Sequence, residues 1–501
     1  MMDCQGPELK VDDVVARVRL LGVWIAEAAA KGTAAHEVER RLFRSVMEWG
    51  LAMLQTFFKL TGDGDLGETF TLPDGRTLAR LAGTHDRRHV SVFGAANLSR
   101  TVYGTREGQA FEFIPTDQRL SLPESEFSYL LQEWDQLLGV EHAFGKVREV
   151  IETILGLKQS VDSLERMNRQ MAGAVPAFQA SLPAPEPDKE GPILVGTIDN
   201  KGIPMVRPAD APPAGAHRTK GEKANKKQMA ALGCVYSVEP HARTAEDLVA
   251  TLFRDEDRPT AQPPQSQQRR YWAALTRDEE GETVRAQPEV FKKMAADIRL
   301  RRQPGQTLVL LTDGQHSLET DRHAHLPEDE QTVDILDLMH VLPRVWEAAH
   351  LFHAEGTEEA EQFVRVRLLK ILRGEAGRMV GGLRQMGTKQ ALAGPEKKRL
   401  KSLCGFLENN LHRMRYDEYL AAGHPIATGV IEGACRHVIK DRMERAGMRW
   451  KIPGAQAMLH LRTIAANDHW QEFQTFRIEQ EAKRLYPHTT ALETIEWPVA
   501  A

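Results

Sequence analysis

Three acidic residues, Asp199, Asp313 and Glu432, stand in the kinds of segment that metal-dependent phosphodiester chemistry uses. Asp199 follows the apolar run 193–198, and Asp313 follows a second apolar run, 307–312. Each run predicts a buried strand, and the residues around Glu432 predict a helix. Two carboxylates at strand ends and a third on a late helix can hold two divalent cations about 3.5–4 Å apart. The pattern therefore indicates DNA strand cleavage and joining.

Each of these signals also has an ordinary structural interpretation. Asn200-Lys201-Gly202 and Asp313-Gly314 are both turn signals, and a lone Asp at such a place usually belongs to the turn. Glu432, Arg436 and Lys440 are spaced four residues apart, as in a stripe of surface ion pairs on one helix. The order of the three carboxylates and the long helical block before Glu432 favour the metal site.

Asp337 and His340 form a D-x-x-H pair. Residues three apart on a helix face the same side, so this pair could bind a metal or orient a phosphate. Alternatively, His340 is a core histidine that Asp337 holds by a hydrogen bond, and we favour this accessory role. Asp337 also competes with Asp313 for the second metal-binding position, where Asp313 is preferred because a strand ends at it.

Length and composition limit the class of protein. A chain of 501 residues exceeds the size of one core, and 42% hydrophobic with 27% charged residues is typical of globular domains. No run approaches the roughly 20 apolar residues of a membrane span, and the first residues show no secretion signal, so a cytoplasmic protein without a membrane partner is expected. The four cysteines form no CxxC pair, which disfavours a zinc ribbon and a disulfide scaffold.

Basic charge is concentrated near Glu432. The net charge of the chain is −5, but residues 397–451 contain 12 Lys and Arg against 6 Asp and Glu. Such a segment suits a phosphate backbone, although a solvated helical surface would have the same composition. The candidate DNA contacts are Lys226, Lys227, Arg436, Lys440, Arg442 and Arg449.

The periodicity predicts an α+β multidomain chain, with a ribonuclease-H-like core interrupted by a helical insertion. A mostly helical DNA-binding region with a small β unit at about 70–120 precedes the core. The expected segments are an N-terminal DNA-end-binding region (1–135), a helix-turn-helix-like segment (136–172), a linker (173–192), the first part of the core (193–345), the insertion (346–425), the helix that completes the core (426–470) and a tail (471–501).

The helix-turn-helix prediction depends on two capping residues. Gly156 is placed to end one helix, and Ser160 is placed to cap the next. A second helix with exposed polar side chains could enter a major groove, although an ordinary helical hairpin fits the same residues. The side chains expected to be exposed are Lys158, Gln159, Ser163 and Arg166.

Several stretches resemble one group of mobile-element enzymes. The chain is similar, over about residues 85–475, to bacterial insertion-sequence transposases of the ISKra branch, which are related to ISL-type and Mutator-like DDE enzymes. The most specific stretch is the acidic helix followed by Gly447-Met448-Arg449-Trp450. The other matching stretches are 197–205, 221–227, 235–240, 311–314, 337–340 and 429–432.

The resemblance implies a DDE transposase with Asp199, Asp313 and Glu432 as its catalytic, metal-binding carboxylates. Mg²⁺ is the expected cofactor, and Mn²⁺ is expected to substitute for it. The implied partners are double-stranded DNA, as terminal inverted repeats and as target, and a second copy of the chain in a homodimer. The implied location is the bacterial cytoplasm, in association with the nucleoid.

The chain departs from this family at two places. Asn200 follows the first Asp where relatives often have Gly, and 103–106 contains none of the cysteines of the zinc motif that relatives often carry. Zinc is therefore not predicted. The alternative function is that of a domesticated or inactive transposase-derived protein that binds DNA without cutting it. A nuclease that cuts without joining is a further alternative.

Overall fold

The computed structural model describes residues 11–105, 111–206, 227–256, 258, 262–279, 281–326, 328–445, 447–492, 495 and 497. Contacts divide the chain into two compact units. Residues up to Ala174 and from Gln471 onward form the first unit, and Val175–Trp470 form the second. Among the described residues, none of the helices has the length and apolar character needed to cross a membrane.

Helices make up most of the regular structure. Short 3₁₀ turns lie at Pro187–Lys189, Leu411–Arg413 and Thr489–Leu492, and a π-helical segment spans Cys435–Lys440. The helices are α1 (Val11–Ala30), α2 (Ala35–Thr61), α3 (Pro115–Arg119), α4 (Tyr129–Gly139), α5 (Phe144–Leu155), α6 (Val161–Ala172), α7 (Val175–Ser181), α8 (Ala245–Phe253), α9 (Ala286–Arg301), α10 (His316–His325), α11 (Leu338–Ala349), α12 (Glu358–Leu372), α13 (Ala376–Lys389), α14 (Gly394–Asn409), α15 (Tyr416–Ala421), α16 (Gly429–Ala434), α17 (Asp441–Met443), α18 (Ile452–Ala466) and α19 (Trp470–Leu485).

The strands belong to both units. β1 to β5 lie in the first unit, and the remaining strands lie in the second. They are β1 (Thr69–Thr71), β2 (Thr77–Arg80), β3 (His85–Ser91), β4 (Gly94–Arg100), β5 (Tyr103–Gly104), β6 (Ile193–Pro204), β7 (Lys227–Val238), β8 (Gln267–Leu275), β9 (Arg277–Glu279), β10 (Glu282–Val284), β11 (Thr307–Thr312) and β12 (Thr332–Leu336). The chain is thus α+β, as its sequence predicts.

The first unit contains the small β unit that the sequence predicts at about 70–120. Antiparallel β1, β2 and β5 form one sheet, and β3 and β4 form a separate hairpin that packs on α2 through an apolar cluster. The expected tail 471–501 differs from the prediction, because it begins with the helix α19. Phe473 of α19 is fully buried, and Arg477 donates to Gln132 at 3.0 Å.

Three helices, α4, α5 and α6, include the predicted helix-turn-helix-like segment. Both predicted caps are confirmed: Gly156 ends α5 with φ +70°, and the Ser160 hydroxyl accepts from the Ser163 amide at 3.0 Å. One expected surface residue is buried instead. Gln159 donates to the buried carboxylate of Asp135 at 2.7 Å, so it holds the three helices together and does not face solvent.

The second unit is built around a five-stranded mixed sheet with the order β12-β11-β6-β7-β8. β7 pairs antiparallel with both β6 and β8, whereas β11 pairs in parallel with both β6 and β12. α9 covers one face, where Phe291 and Ile298 pack among strand residues such as Leu194 and Leu310. A Cβ on Gly233 would lie 2.5 Å from the side chain of Met294, so a glycine here permits the close approach of α9.

Two strand predictions need correction. β6 does not end before Asp199 but continues to Pro204, because every residue of it pairs with β7. The turn expected at Asn200-Lys201-Gly202 is therefore strand. β8 is not among the predicted strands, because its first residues are polar and exposed.

The segment 173–192 differs from the expected linker. It contains α7, whose Val175 and Phe178 are buried. Further along, Arg270 donates to the carbonyl oxygen of Pro183, and the fully buried Arg301 pairs with Glu190 at 2.7 Å. Contacts with the second unit thus order the segment despite its prolines.

Asp135 generates a prediction about stability and pH. Burial raises the pKa of Asp135 to about 7, against the Gln159 hydrogen bond that lowers it. The folded state therefore penalises the ionised carboxylate, and this penalty grows from about pH 4 to pH 7 and is then constant. We expect Asp135→Asn to stabilise the protein by up to about 4 kcal/mol at pH 8 and to have little effect near pH 4.

Urea unfolding at the two pH values measures this effect. Asp162→Asn, at an exposed position on α6, is the matched control and should change stability by less than about 0.5 kcal/mol at either pH. Destabilisation at pH 8, or an equal change at both pH values, would contradict the assignment.

Candidate functional site

A row of three carboxylates crosses the sheet of the second unit. The parallel register pairs Leu311 of β11 with Thr197 of β6, which places Asp313 beside Asp199 two residues further on. β12 pairs with β11 in parallel as well, and Asp337 directly follows it. Residues side by side in adjoining strands project from the same face, and alternation puts this row on the face opposite α9. The structure therefore brings the three predicted aspartates together.

Asp313 lies at the centre of the row. Burial raises the pKa of this carboxyl group, and the negative charge of Asp199 raises it further. The Gln315 amide, which donates to Asp313 at 2.9 Å, and His340 act in the opposite direction. Neighbouring carboxylates that repel each other favour a bound proton or cation, which is the electrostatic property of a metal site.

Asp199 has a basic neighbour on its own strand. Only 9% of Asp199 is exposed, and its Oδ2 lies 2.7 Å from Nζ of Lys201. Burial lowers the pKa of Lys201, but the Asp199 hydrogen bond and the charges of Asp199 and Glu432 outweigh it and raise the pKa overall. Lys201 thus acts as a counter-ion to the carboxylates of Asp199 and Glu432.

Glu432 lies in α16, with an exposed side chain, and the helix continues as the π-helical segment Cys435–Lys440. π-helical turns are rare and are found mostly at functional positions, because they change the direction in which neighbouring side chains point. Arg462, which is buried, donates to the carbonyl oxygen of Val438 at 2.6 Å and also to that of His437. The Arg462 side chain thus stabilises two backbone carbonyl groups of the π-helical segment.

Asp337, His340 and Glu432 form a compact group. One ligand atom of each lies within 4.8 Å of the other two. Asp337 is fully buried, and burial raises the pKa of its carboxyl group. Its Oδ1 accepts from the amides of Met339 at 2.9 Å and Thr428 at 3.3 Å, and its Oδ2 accepts from the Thr428 hydroxyl. Asp337 thus joins the end of β12 to the residue that precedes the Glu432 helix.

Residues 413–416, near the end of the helical segment that follows α11, bond to the ends of β11 and β12. Arg413, which is 1% exposed, donates to the side chain of Thr312 and pairs with Asp334 at 3.1 Å. The Tyr416 hydroxyl donates to the carbonyl oxygen of Leu336 at 2.7 Å. Sequence reasoning missed these positions, because Arg413 counted only as one more basic residue of a charged segment.

Gly314, directly after Asp313, permits the same helices to approach. A Cβ here would lie 2.5 Å from the ring of Phe406 in α14. The glycine that follows Asp313 is therefore required by packing against α14. The presence of α12 to α15 in 346–425 agrees with the helical character that the sequence predicts for the insertion.

The predicted DNA contacts separate into three groups. Lys226 lies outside the described residues. Arg442 is 1% exposed, with its guanidinium 5.0 Å from the ring centroid of Trp450, so it is a core residue in this structure and not a surface contact. The remaining candidates have exposed side chains. They are Lys227, which pairs with Glu444, Arg436, whose guanidinium lies 4.0 Å from Asp441, Lys440 and Arg449.

Comparison with known proteins adds little. No protein-family model matches the chain, and no curated protein matches it. Among solved structures, a chain of the Drosophila P element transposase strand transfer complex matches with 11% identity and a TM-score of 0.25. The match covers 74% of this chain and 93% of that one. A TM-score this low carries no argument about fold or function.

The Asp337–Thr428 contact generates a second prediction. Thr428→Val removes a hydroxyl donor from a buried carboxylate at nearly constant volume, so we expect a loss of about 1–3 kcal/mol in the free energy of unfolding. The hydroxyl lowers the pKa of Asp337, which burial raises, so the loss should be larger at pH 8 than near pH 4, where more of the folded carboxyl group is protonated.

Denaturant unfolding at both pH values is the measurement. Thr320→Val, which removes an exposed hydroxyl that bonds His316 within α10, is the control and should cost less than about 0.5 kcal/mol. Equal losses in the two variants would show that the Thr428 hydroxyl has no special role.

Proposed function

We propose that this protein is a transposase that cleaves and joins DNA strands in a reaction dependent on divalent metal ions. Asp199, Asp313 and Glu432 are the proposed metal-binding residues. The observation that carries the proposal is the row of carboxylates that the parallel register forms on one face of the sheet. Glu432 is proposed as the third ligand because one of its oxygens lies within 4.8 Å of a ligand atom of Asp337, at the end of the row.

A ribonuclease-H-like core is the fold that accompanies this proposal. Its support is a sheet in which three successive antiparallel strands, β6 to β8, are followed by two strands parallel to β6. Helices α9 and α10 connect the later strands, and α12 to α15 separate β12 from the helix of Glu432. This is the order of elements that the sequence predicts for an interrupted core.

The donor set fits a hard divalent cation. Carboxylate oxygens are ligands that suit Mg²⁺ and Mn²⁺, and all three proposed ligands are carboxylates. When bound, two such cations activate the attacking oxygen and stabilise the leaving oxygen of an in-line displacement. The side chains of the protein would hold and orient these cations. Asp199 and Asp313 would do so from adjoining strands, and Glu432 from a helix whose start is fixed by Asp337.

Asp313 is preferred over Asp337 as the second ligand. Both oxygens of Asp337 accept hydrogen bonds from Met339 or Thr428, and the residue is fully buried. Asp313 is partly exposed, with one hydrogen bond from the Gln315 amide to its Oδ1. Asp337 is therefore proposed as a positioning residue, with His340 beside it at 3.6 Å.

Double-stranded DNA is the proposed substrate, as the ends of a mobile element and as its target. The exposed cations Arg436, Lys440 and Arg449 lie on the same segment as Glu432, where they would contact phosphates near the cut. The first unit, with its three-helix arrangement of α4 to α6, is the proposed reader of terminal repeats.

A second candidate function is DNA binding without cleavage, as in an inactive transposase-derived protein. The observation that favours it is the ammonium group of Lys201, 2.7 Å from Asp199, which supplies a positive charge where a metal ion would otherwise do so. This candidate predicts tight, salt-sensitive DNA binding together with weak Mn²⁺ binding.

Mn²⁺ binding and DNA nicking test the proposed metal ligands. We expect Asp199→Asn, Asp313→Asn and Glu432→Gln each to reduce nicking by about 100-fold or more, because even second-shell substitutions cost about 10–100-fold. Nicking is measured on supercoiled plasmid and on duplexes taken from the DNA that flanks the gene, with Mg²⁺ or Mn²⁺. Isothermal calorimetry gives the Mn²⁺ affinity of the same variants.

Asp329→Asn, at an exposed carboxylate that pairs with Arg302 away from the row, is the matched control and should nick at the wild-type rate. Full nicking by Asp313→Asn with none by Asp337→Asn would move the second ligand to Asp337. Absence of nicking and of Mn²⁺ binding in the wild type, together with DNA binding, would support the second candidate function.

A further inference from the structure

The two N-terminal helices, α1 and α2, form a hairpin within the first unit. Residues 31–34 connect them, and such a short connection joins antiparallel neighbours. Over residues 15–30, where burial is described, α1 buries a narrow stripe formed by Leu21, Ala28 and the half-buried Trp24 between them. The guanidinium of Arg41 in α2 lies 4.0 Å from the Trp24 ring centroid, which identifies the side of α2 that faces α1.

A second apolar stripe on each helix remains exposed. Its residues follow alternating steps of three and four, the spacing with which a helix packs along another helix. The exposed fractions of the large side chains in these stripes lie between 37% and 51%. The stripe of α1 consists of Val15, Val18, Gly22 and Ile25, and the stripe of α2 consists of Phe43, Val46, Gly50, Met53, Phe57 and Leu60.

Helix geometry places both stripes on one face of the hairpin. With about 100° per residue, each exposed stripe lies roughly 90–130° further round its helix than the residues that face the other helix. The rotation has the same sense in both helices, and the helices are antiparallel, so the two stripes come to the same side. The β3–β4 hairpin covers a different side of α2, through Leu51, Leu54 and Phe58.

Phe93, at the turn of the β3–β4 hairpin, extends this face. It is 38% exposed, and its ring lies over Gly50, where a Cβ would approach it to 2.4 Å. The glycine in the middle of the α2 stripe thus lets an aromatic ring lie against the helix backbone. We call the face formed by the two stripes and Phe93 the hairpin face.

The area of the hairpin face exceeds what a monomer usually exposes. Its large apolar side chains leave on the order of 800 Å² accessible, whereas the largest apolar patch of a typical monomer is about 300–600 Å². A standard stable interface buries about 800 Å² on each partner. The hairpin face therefore has the size of one half of a protein–protein interface.

We propose that the hairpin face is a dimer interface that packs against the same face of a second copy of this chain. Every stripe position in 15–25 and 43–60 holds an apolar residue or glycine. The partner must therefore present an apolar surface of equal length. A second hairpin supplies that surface, because two hairpins related by a two-fold axis form a four-helix bundle. The observations behind the proposal come from the first unit alone, and the proposal does not depend on the proposed DNA cleavage.

Light scattering after size exclusion tests the dimer on the full chain. At tens of micromolar, the wild type is expected at twice the 56.2 kDa chain mass, and Val46→Glu/Phe57→Glu is expected at the single-chain mass. Ile154→Glu replaces an apolar side chain that is 55% exposed on α5 of the same unit, and it should remain dimeric. A monomeric wild type, or a dimeric double variant, would overturn the proposal.

Hydrogen exchange of the wild type decides the question even if the double variant does not fold, which its circular dichroism melting curve would reveal. Amides of α1 and α2 should exchange faster after a 100-fold dilution, as the dimer dissociates. Protection of these helices that is independent of protein concentration would overturn the proposal, and it would indicate that another segment of the same chain covers the hairpin face.

Discussion

The parallel register of β6, β11 and β12 is the constraint on which the candidate site depends. A shift of one residue in either pairing would turn one carboxylate to the other face of the sheet, where α9 packs. The register is held from outside the sheet by Arg413 and Tyr416, which bond to atoms of β11 and β12 near their last residues. The inserted helices therefore contribute directly to the geometry of the site.

The acidic row is costly for the fold, since burial and neighbouring negative charge both disfavour ionised carboxylates. Three features offset this cost. Lys201 pairs with Asp199, His340 lies beside the row, and the amides of Met339 and Thr428 donate to Asp337. An arrangement that keeps several carboxylates together despite their repulsion is characteristic of a site for cations, and it underlies the proposed function.

Local patterns in the sequence predict much of the fold. The apolar runs before Asp199 and Asp313 are strands, and the caps at Gly156 and Ser160 lie where their residues indicate. Long-range pairing accounts for most differences. β6 continues past Asp199 because β7 pairs with it, and a propensity for turns cannot outweigh a ladder of that length.

The burial of individual polar residues was not predictable from the sequence. Arg442 and Gln159 have the composition of surface residues, but each is buried against partners that lie elsewhere in the fold, such as Trp450 and Asp135. The spacing of Asp337 and His340 is compatible with a metal site or with a supporting role. Only the hydrogen bonds to Thr428, 91 residues later in the chain, favour the supporting role.

Anomalous scattering from crystals of the protein soaked in Mn²⁺ would test the proposed metal site most directly. We predict manganese bound to carboxylate oxygens of both Asp199 and Asp313, with Glu432 completing the site and the Asp337–Thr428 hydrogen bonds intact. Manganese held only by Asp337, His340 and Glu432, or no manganese at the acidic row while Lys201 remains on Asp199, would contradict the proposed triad.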